Sequence, residues 1–264
     1  MKKILITGAG SYIGTSFAKW LGQWPEDYFV DTVDMMDAAW KQKDFSKFEV
    51  VFHVAGIVHI SIDPKLDDLY YKVNRDLTVE TAEKAKNEGV RQFIFMSTMA
   101  VYGQEGKMNE NITITRATAP NPKTSYGKSK LFAEFELNKL AGDGFKVAII
   151  RSPMVYGENC PGNYARLEKL ALRIPVFPMI INSRSMLSIH KLNEYIKEYV
   201  DQEAEGIFFP QDNEYVNTSL LVQKIAKEHG KKIYLSRTIG LLIKLFGKRI
   251  NLVNKIFGNL IYER

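Results

Sequence analysis

The chain has a single cysteine, Cys160, in 264 residues. One thiol excludes an internal disulfide, which fits a reducing compartment, and the expected location is the cytoplasm. Long apolar runs are missing as well, since no window approaches the ~20 residues of a membrane span. Lys2-Lys3 and Ile4-Leu5-Ile6 open in the manner of a secretory signal, but Thr7-Gly8 ends the run well short of one. Histidine is scarce, and His53, His59, His190 and His229 show no metal-ligand spacing, so no metal is expected. There are no repeats and no low-complexity tracts. Acidic residues number 30 against 36 basic ones, a net charge of +6. That excess suits small anionic ligands such as phosphates and is too diffuse for nucleic acid.

What is present is an ordinary globular composition, 45% hydrophobic and 25% charged, long enough for one large or two small domains. Lys3 to Thr7 is a branched-apolar run ended by glycine, as a buried parallel strand should be. Gly8-Ala9-Gly10-Ser11-Tyr12-Ile13-Gly14 follows at once, and Thr15 to Leu21 reads as a helix. Strand, glycine-rich turn and helix N-terminus make a ready anion site, with backbone amides aimed at a pyrophosphate. The last glycine comes one residue later than in the strict G-x-G-x-x-G pattern.

Tyr28 to Val33 is the second strand, with Asp34 at its end. An acid about 20 positions beyond the glycines binds adenosine ribose hydroxyls and repels a 2′-phosphate, so NAD is favoured over NADP. Asp31 and Asp37 are alternatives to Asp34 in that role, and the plain reading of Asp34 is a turn cap. Val50 to Gly56 is another buried strand ended by small residues, in which His53 reads as a packed, hydrogen-bonded side chain. Leu69 to Asn87 has helical spacing and Gly89 caps it. Arg91 to Ser97 is the next strand and places Thr98 at a carboxyl end, where open α/β sheets bind ligands.

Pro120 and Pro122 then break the chain before Ser125-Tyr126-Gly127-Lys128-Ser129-Lys130, which opens a helix running to about Leu140. Tyr126 and Lys130 are four apart and share a helix face. A phenol titrates near ~10, and an ammonium beside it favours the phenolate. Such a pair is what proton removal from an alcohol needs when hydride leaves the same carbon. Lys146 to Arg151 is one more strand. Alternating β and α patterns predict an α/β, doubly wound parallel sheet.

Beyond Pro153 lie a loop at Asn159 to Asn163, an extended piece between Pro175 and Pro178, a strand at Met186 to Ile189, and helices at Leu192 to Val200 and Thr218 to His229. Cys160 has no base near it in sequence and reads as structural. Residues 238–257 mix Leu241, Leu242, Leu245, Phe246 and Ile250 with Lys244, Lys248, Arg249 and Lys255. This helical tail is expected to cover the protein's own core, with contact to a membrane surface or a partner as the second reading.

Taken together, these residues resemble the extended short-chain dehydrogenase/reductase superfamily, in its NAD-dependent nucleotide-sugar epimerase/dehydratase branch. The resemblance spans roughly residues 3 to 230. Thr7 to Gly14 is similar to T-G-x-x-G-x-x-G, with Ser11 in place of the middle glycine and Gly10 compensating. His53-Val54-Ala55-Gly56 resembles H-x-A-[AG], and Asn74 matches the asparagine near the nicotinamide end. Ser97 to Gly103 looks like S-[ST]-x-x-V-Y-G, Tyr126 and Lys130 fall on Y-x-x-x-K, and Arg151 to Gly157 resembles L-R-x-x-x-x-Y-G.

The resemblance implies a Rossmann domain over 1–152 and a smaller substrate-binding part over 153–264, with 184–201 returning to the first. It implies NAD held by Gly8, Gly10, Ser11, Tyr12, Ile13, Gly14, Asp34, Val54, Ala55, Gly56, Asn74, Tyr126 and Lys130. Thr98, Tyr126 and Lys130 would be catalytic, and Thr98, Tyr126, Met154, Asn163 and Arg184 would meet a UDP-hexose or UDP-N-acetylhexosamine. Arg184 would grip its diphosphate. A homodimer is the common assembly. Dehydratases carry two acids after the Thr98 position, where this chain has Met99 and Ala100, so dehydration is not expected. Met154 stands where many epimerases carry a sugar-contacting asparagine. The implied activity is 4-epimerisation through a 4-keto sugar, with 4-ketoreduction or non-catalytic dinucleotide binding as alternatives.

Overall fold

The computed structural model describes residues 1–58, 67–108, 110–142, 144–247 and 250–263. His59, Lys248 and Arg249 therefore lie outside the described residues. The chain divides into two compact units, one of Met1–Gly103, Pro120–Ser152 and Ile189–Pro210, the other of Gln104–Ala119, Pro153–Ser188 and Gln211–Arg264.

With numbering along the whole chain, the first unit holds β1 (Lys2–Thr7), α1 (Tyr12–Leu21), β2 (Tyr28–Val33), β3 (Val50–His53), α2 (Asp67–Tyr71), α3 (Leu77–Asn87), β4 (Gln92–Thr98), α4 (Ser125–Leu140), β6 (Lys146–Ser152), α6 (Ile189–Asp201) and β10 (Gly206–Phe208). Its six strands form one parallel sheet in the order β10-β6-β4-β3-β1-β2. The strands read as continuous apolar runs because both faces are covered. Leu5, Val51, Phe93, Phe95 and Ile149 meet Ala82 and Ala85 of α3 and Ala133 and Leu137 of α4 in one buried cluster. On the opposite face Phe17 of α1 sets its ring edge-on to Phe52 at 5.4 Å, and α6 docks beside α1. The doubly wound sheet expected from the alternating pattern is present.

Among the described residues no strand lies beyond β2. The 34–49 connection supplies a 3₁₀ turn at Ala38–Gln42 with Trp40 as its buried anchor, so β2 remains an edge. The order thus reverses between β1 and β3, and ligands of open α/β sheets bind at that switch point.

Two further departures concern helices. The helix predicted over 69–87 is interrupted by a π turn at Lys72–Asp76, between α2 and α3. Extra backbone hydrogen-bond spacing of this kind recurs at functional sites. The tail is two short helices rather than one.

The second unit contains β5 (Asn111–Ile114), β7 (Met154–Tyr156), α5 (Asn163–Arg173), β8 (Val176–Pro178), β9 (Met186–Ser188), α7 (Thr218–Glu228), β11 (Tyr234–Ser236), α8 (Arg237–Phe246), α9 (Asn251–Phe257) and β12 (Asn259–Tyr262). Its strands pair in parallel twos, β5 with β12, β7 with β9 and β8 with β11. These strands are only three or four residues long, which is why local patterning leaves most of them unseen.

Candidate active site

The glycine turn is shaped by close approach. Gly8 has φ +86°, and a Cβ there would stand 3.0 Å from the Ala55 backbone across the switch point. A Cβ on Gly14 would meet Ser11 Oγ at 2.7 Å and Ile6 Cγ2 at 3.0 Å, so α1 lies directly on β1. Gly10 has φ +79° with open space over it, room for a ligand to approach the backbone. Ser11, at the middle-glycine position, is the N-cap of α1: its hydroxyl accepts from Gly14 N at 3.1 Å. The Gly8 and Ala9 amides donate to Val33 O at 2.9 and 3.1 Å. The N-terminus of α1, which opens at Tyr12 and Ile13, follows the turn directly, and a helix N-terminus favours an anion.

Asp34 follows β2 directly, and β2 is in register beside β1. Its carboxylate is exposed and accepts from Met36 N at 2.9 Å. Asp31 is taken by Lys43 and Asp37 caps the 3₁₀ turn, so Asp34 is the acid placed beside the glycine turn.

At the end of β3, Asn74 from the π turn is wholly buried. Its Oδ1 accepts from Ile57 N at 2.8 Å, and its Nδ2 donates to Ile57 O at 3.1 Å and Ser129 Oγ at 3.2 Å. A Cβ on Gly56 would collide with Asn74 Oδ1 at 2.9 Å and crowd Lys130 Nζ at 3.2 Å. Gly56, Asn74 and Lys130 thus converge, with Val54 and Ala55 in the same segment.

His53 is buried between two threonines, with Nδ1 2.8 Å from Thr7 Oγ1 and Nε2 3.0 Å from Thr78 Oγ1. Because Thr78 donates to Asn74 O at 3.0 Å, its oxygen accepts from His53 Nε2–H, and Thr7 donates to Nδ1. Burial, with the nearby Lys130 charge adding to it, pushes the imidazole down to about 3. His53 is a neutral structural pin, not a base.

Thr98 ends β4. Its hydroxyl accepts from Ala100 N at 3.1 Å and also hydrogen-bonds the Tyr126 phenol. Gly127, just after Tyr126, lets α4 rest on the 99–102 turn, since a Cβ there would be 2.7 Å from Ala100 O. The Tyr126 ring meets Tyr70 edge-on at 6.3 Å.

One expectation is corrected here. The lysine four residues on was to hold the phenol in its anionic form, yet burial pushes Tyr126 up to about 12, against the opposing hydrogen bond from Thr98. Lys130 Nζ is turned instead to Met96 O at 2.9 Å and stands 4.5 Å from the centre of the Phe95 ring. Only 4% exposed, the ammonium is itself disfavoured, and burial brings Lys130 down to about 7, with the Glu134 carboxylate opposing. Shared helix face did not make shared contact.

Behind the pair lies a cluster the motifs did not foretell. Glu134 and Arg151 form a buried ion pair through Nε contacts of 3.1 and 3.2 Å and an Nη2 contact of 2.5 Å. Arg151 Nη1 donates to Tyr102 Oη at 2.7 Å, and Ser97 donates to Glu134. The cluster ties α4 to β4 and β6. Its sequence signal was Glu134, four residues after Lys130 on the same helix face.

Met154, Asn163 and Arg184 all belong to the second unit. Met154 is half-buried on β7, in register with Met186, and Asn163 is exposed in the first turn of α5. Arg184 spends its guanidinium on backbone carbonyls, Lys255 O at 2.7 Å and Gly258 O at 3.5 Å. It caps the C-terminal end of α9, where cations are favoured, and burial lowers its proton affinity. Cys160 is buried with Sγ 3.3 Å from Val155 O. Among the described residues no cluster of three His, Cys, Asp or Glu side chains could hold a metal.

A backbone anion cradle at a sheet switch point, beside a hydroxyl, a phenol and a buried lysine, defines a dinucleotide-dependent enzyme. The particular family follows from comparison. The model of the NAD dependent epimerase/dehydratase family matches residues 4–174, and the chain belongs to that family. It is 31% identical to a UDP-glucose 4-epimerase of Vibrio cholerae over 98% of its own length and 86% of the relative's. A 26% match covers 97% of the chain and 81% of an Escherichia coli O157:H7 enzyme, the N-acetyl-alpha-D-glucosaminyl-diphospho-ditrans,octacis-undecaprenol 4-epimerase. The fold is shared with a UDP-glucuronic acid 4-epimerase of Bacillus cereus solved with NAD, at TM-score 0.73 and 18% identity over 98% of this chain and 88% of that one. NAD is the family's cofactor, and the open backbone at Gly10 and the first turn of α1 fit its pyrophosphate.

Proposed function

We propose that the protein is a 4-epimerase of a UDP-hexose or UDP-N-acetylhexosamine, working through a transient 4-keto sugar in surface polysaccharide synthesis. The observation that carries this reading is the Thr98–Tyr126 hydrogen bond at the carboxyl end of β4, with no acid following it. When bound, NAD supplies a reversible hydride acceptor. Gly8, Gly10, Ser11, Tyr12, Ile13 and Gly14 would hold its pyrophosphate, Asp34 its adenosine ribose, and Val54, Ala55, Gly56 and Asn74 would flank the nicotinamide side.

Tyr126, as the phenolate that a hydrogen bond from Thr98 favours, takes the proton of the sugar 4-hydroxyl and becomes the neutral phenol. Lys130, whose Nζ is held by Met96 O beside Gly56, would hydrogen-bond the nicotinamide ribose. Returning the proton from Tyr126 after the keto sugar has turned over completes an inversion. Met99 and Ala100 offer no proton carrier for eliminating water. Met154, Asn163 and Arg184 are assigned to the sugar nucleotide. Arg184 would have to exchange its α9 carbonyls for a diphosphate.

The test is to purify the protein, identify any dinucleotide released on denaturation, and incubate it with UDP-glucose, UDP-N-acetylglucosamine and the polyprenyl-diphosphate-linked N-acetylglucosamine suggested by the Escherichia coli relative. Appearance of the C4 epimer establishes the reading. Turnover only of a 4-keto sugar with added reduced cofactor makes the protein a ketoreductase, the reading favoured by Met154. Tyr126→Phe should retain NAD and lose ~10²-fold or more of the rate. We also infer a cytoplasmic homodimer joined through α4, which shows Phe132 and Phe135 about half exposed with rings 6.4 Å apart. Sedimentation of Phe132→Glu as a monomer would support that pairing.

A further inference from the structure

The tail was expected to cover core, and α9 and β12 do so: Phe257 packs on Phe177 at 5.5 Å, and Tyr262 is buried. Helix α8 does the opposite. Its one buried residue is Gly240, whose missing side chain lets the helix backbone close on Met179 O. Ser236 caps its start by accepting from Ile239 N at 3.2 Å. At about 100° per residue, Leu241, Leu242, Leu245 and Phe246 fall on the side away from Gly240. They are 58%, 50%, 60% and 77% exposed. A well-capped helix is thus pinned by its small residue with its apolar face outward.

Other apolar residues of the second unit are exposed as well. Val176 and Tyr234, register partners on the β8–β11 pair that α8 contacts, are exposed, and so are Ile250 and Leu252. Charge then selects the occupant. Residues 237–257 contain Arg237, Lys244, Lys248, Arg249 and Lys255 and no acidic residue. Arg237 and Lys244 lie toward one edge of the apolar face. A second copy of the same surface would bring like charges together across a two-fold axis. An anionic bilayer answers both features, apolar depth below and negative charge at the edge.

We propose that α8 lies in the headgroup layer of an anionic membrane and seats the second unit there as a peripheral attachment. No helix among the described residues is long and apolar enough to cross a membrane, and α8 would lie flat. This attachment is independent of the catalytic reading, because it is measured without turnover.

The experiment is flotation of the full chain with vesicles of phosphatidylcholine alone and of phosphatidylcholine containing about 30 mol% phosphatidylglycerol. Binding is expected to the anionic vesicles and to weaken at least tenfold between about 0.1 M and about 0.5 M NaCl. Leu241→Ser, Leu245→Ser and Phe246→Ser combined should lower the partition at least tenfold, with melting temperature and NAD binding unchanged. Lys244→Glu should lower it about fivefold or more. Failure of the parent chain to float with anionic vesicles overturns the proposal, and so does equal flotation of the triple variant. Self-association or capture of a protein partner that the triple variant abolishes, without vesicle binding, assigns the face to that partner and equally overturns it.

Discussion

Replacing Lys130 with methionine tests the electrostatics of the site most directly. The perturbation keeps an unbranched side chain of similar length and removes the charge and its bond to Met96 O. In the cofactor-free protein, burial holds the lysine near about 7, against 10.5 when exposed. Between those values the unfolded chain binds a proton that the folded chain has released, so stability rises with pH. Each unit contributes ~1.4 kcal/mol per proton. From pH ~7 to pH ~9.5 the parent should therefore gain roughly 2–4 kcal/mol relative to Lys130→Met, the lower end allowing for relaxation of the site. Below about 7 the cost of burying the ammonium is fully present. Tyr126 works the other way but only above its unfolded value of 10.0, since its folded phenol holds the proton to about 12. Urea unfolding of both proteins, freed of NAD, at several pH values across that window reads the difference. Parallel stability curves would show Lys130 charged throughout, with the Met96 carbonyl and the Phe95 ring enough to keep it so.

The remaining predictions concern packing. Gly14→Ala puts a methyl 2.7 Å from Ser11 Oγ and 3.0 Å from Ile6 Cγ2, and should cost ~1–3 kcal/mol in urea unfolding; an unchanged midpoint would mean that α1 is free to lift from β1. Arg151→Leu leaves Glu134 buried without its cation and should cost ~3–5 kcal/mol, whereas adding Glu134→Leu should recover part of that loss. If the double variant is the less stable, the ion pair is not what holds α4 in place. Asn74→Ala strips both backbone partners from Ile57, and hydrogen exchange at the Ile57 amide should accelerate tenfold or more, corresponding to the ~1–3 kcal/mol of an orphaned polar group.

Legibility followed the length of the elements. β1 and β4, buried on both faces, and α4, a sixteen-residue helix entered from two prolines, announced themselves by apolar continuity and by breakers. So did the doubly wound order, which follows from alternation alone. The π turn did not, because Lys72–Asp76 keeps the apolar spacing of its neighbours while its hydrogen bonds shift. At the site, residue types were readable but relations between them were not. Spacing placed Tyr126 and Lys130 on one face; only the position of the Met96 carbonyl decided that Nζ turns away from the phenol. Ser11 shows the same limit, a departure from the glycine pattern that acquires sense as an N-cap. For Arg184, sequence supplied a cation and structure supplied acceptors no pattern contains, the backbone carbonyls of a helix end. The apolar residues of α8 looked like core and are outside, since Gly240 rather than a leucine faces inward.

The pairing of β5 with β12 has a consequence for how the chain is made. Asn111–Ile114 adds its parallel partner only when Asn259–Tyr262 has been synthesised, with 144 residues between Ile114 and Asn259. At ~5–20 residues per second, roughly 7–30 s pass while β5 waits on the nascent chain with an unsatisfied hydrogen-bonding edge. The sheet of the first unit lacks only its outermost strand, β10, once Ser152 has emerged, so it can collapse early around β1, β3, β4 and β6. The second unit is therefore the late and vulnerable half of biogenesis, and chaperone dependence should track it. Widely separated strands make this slow step intrinsic to the topology.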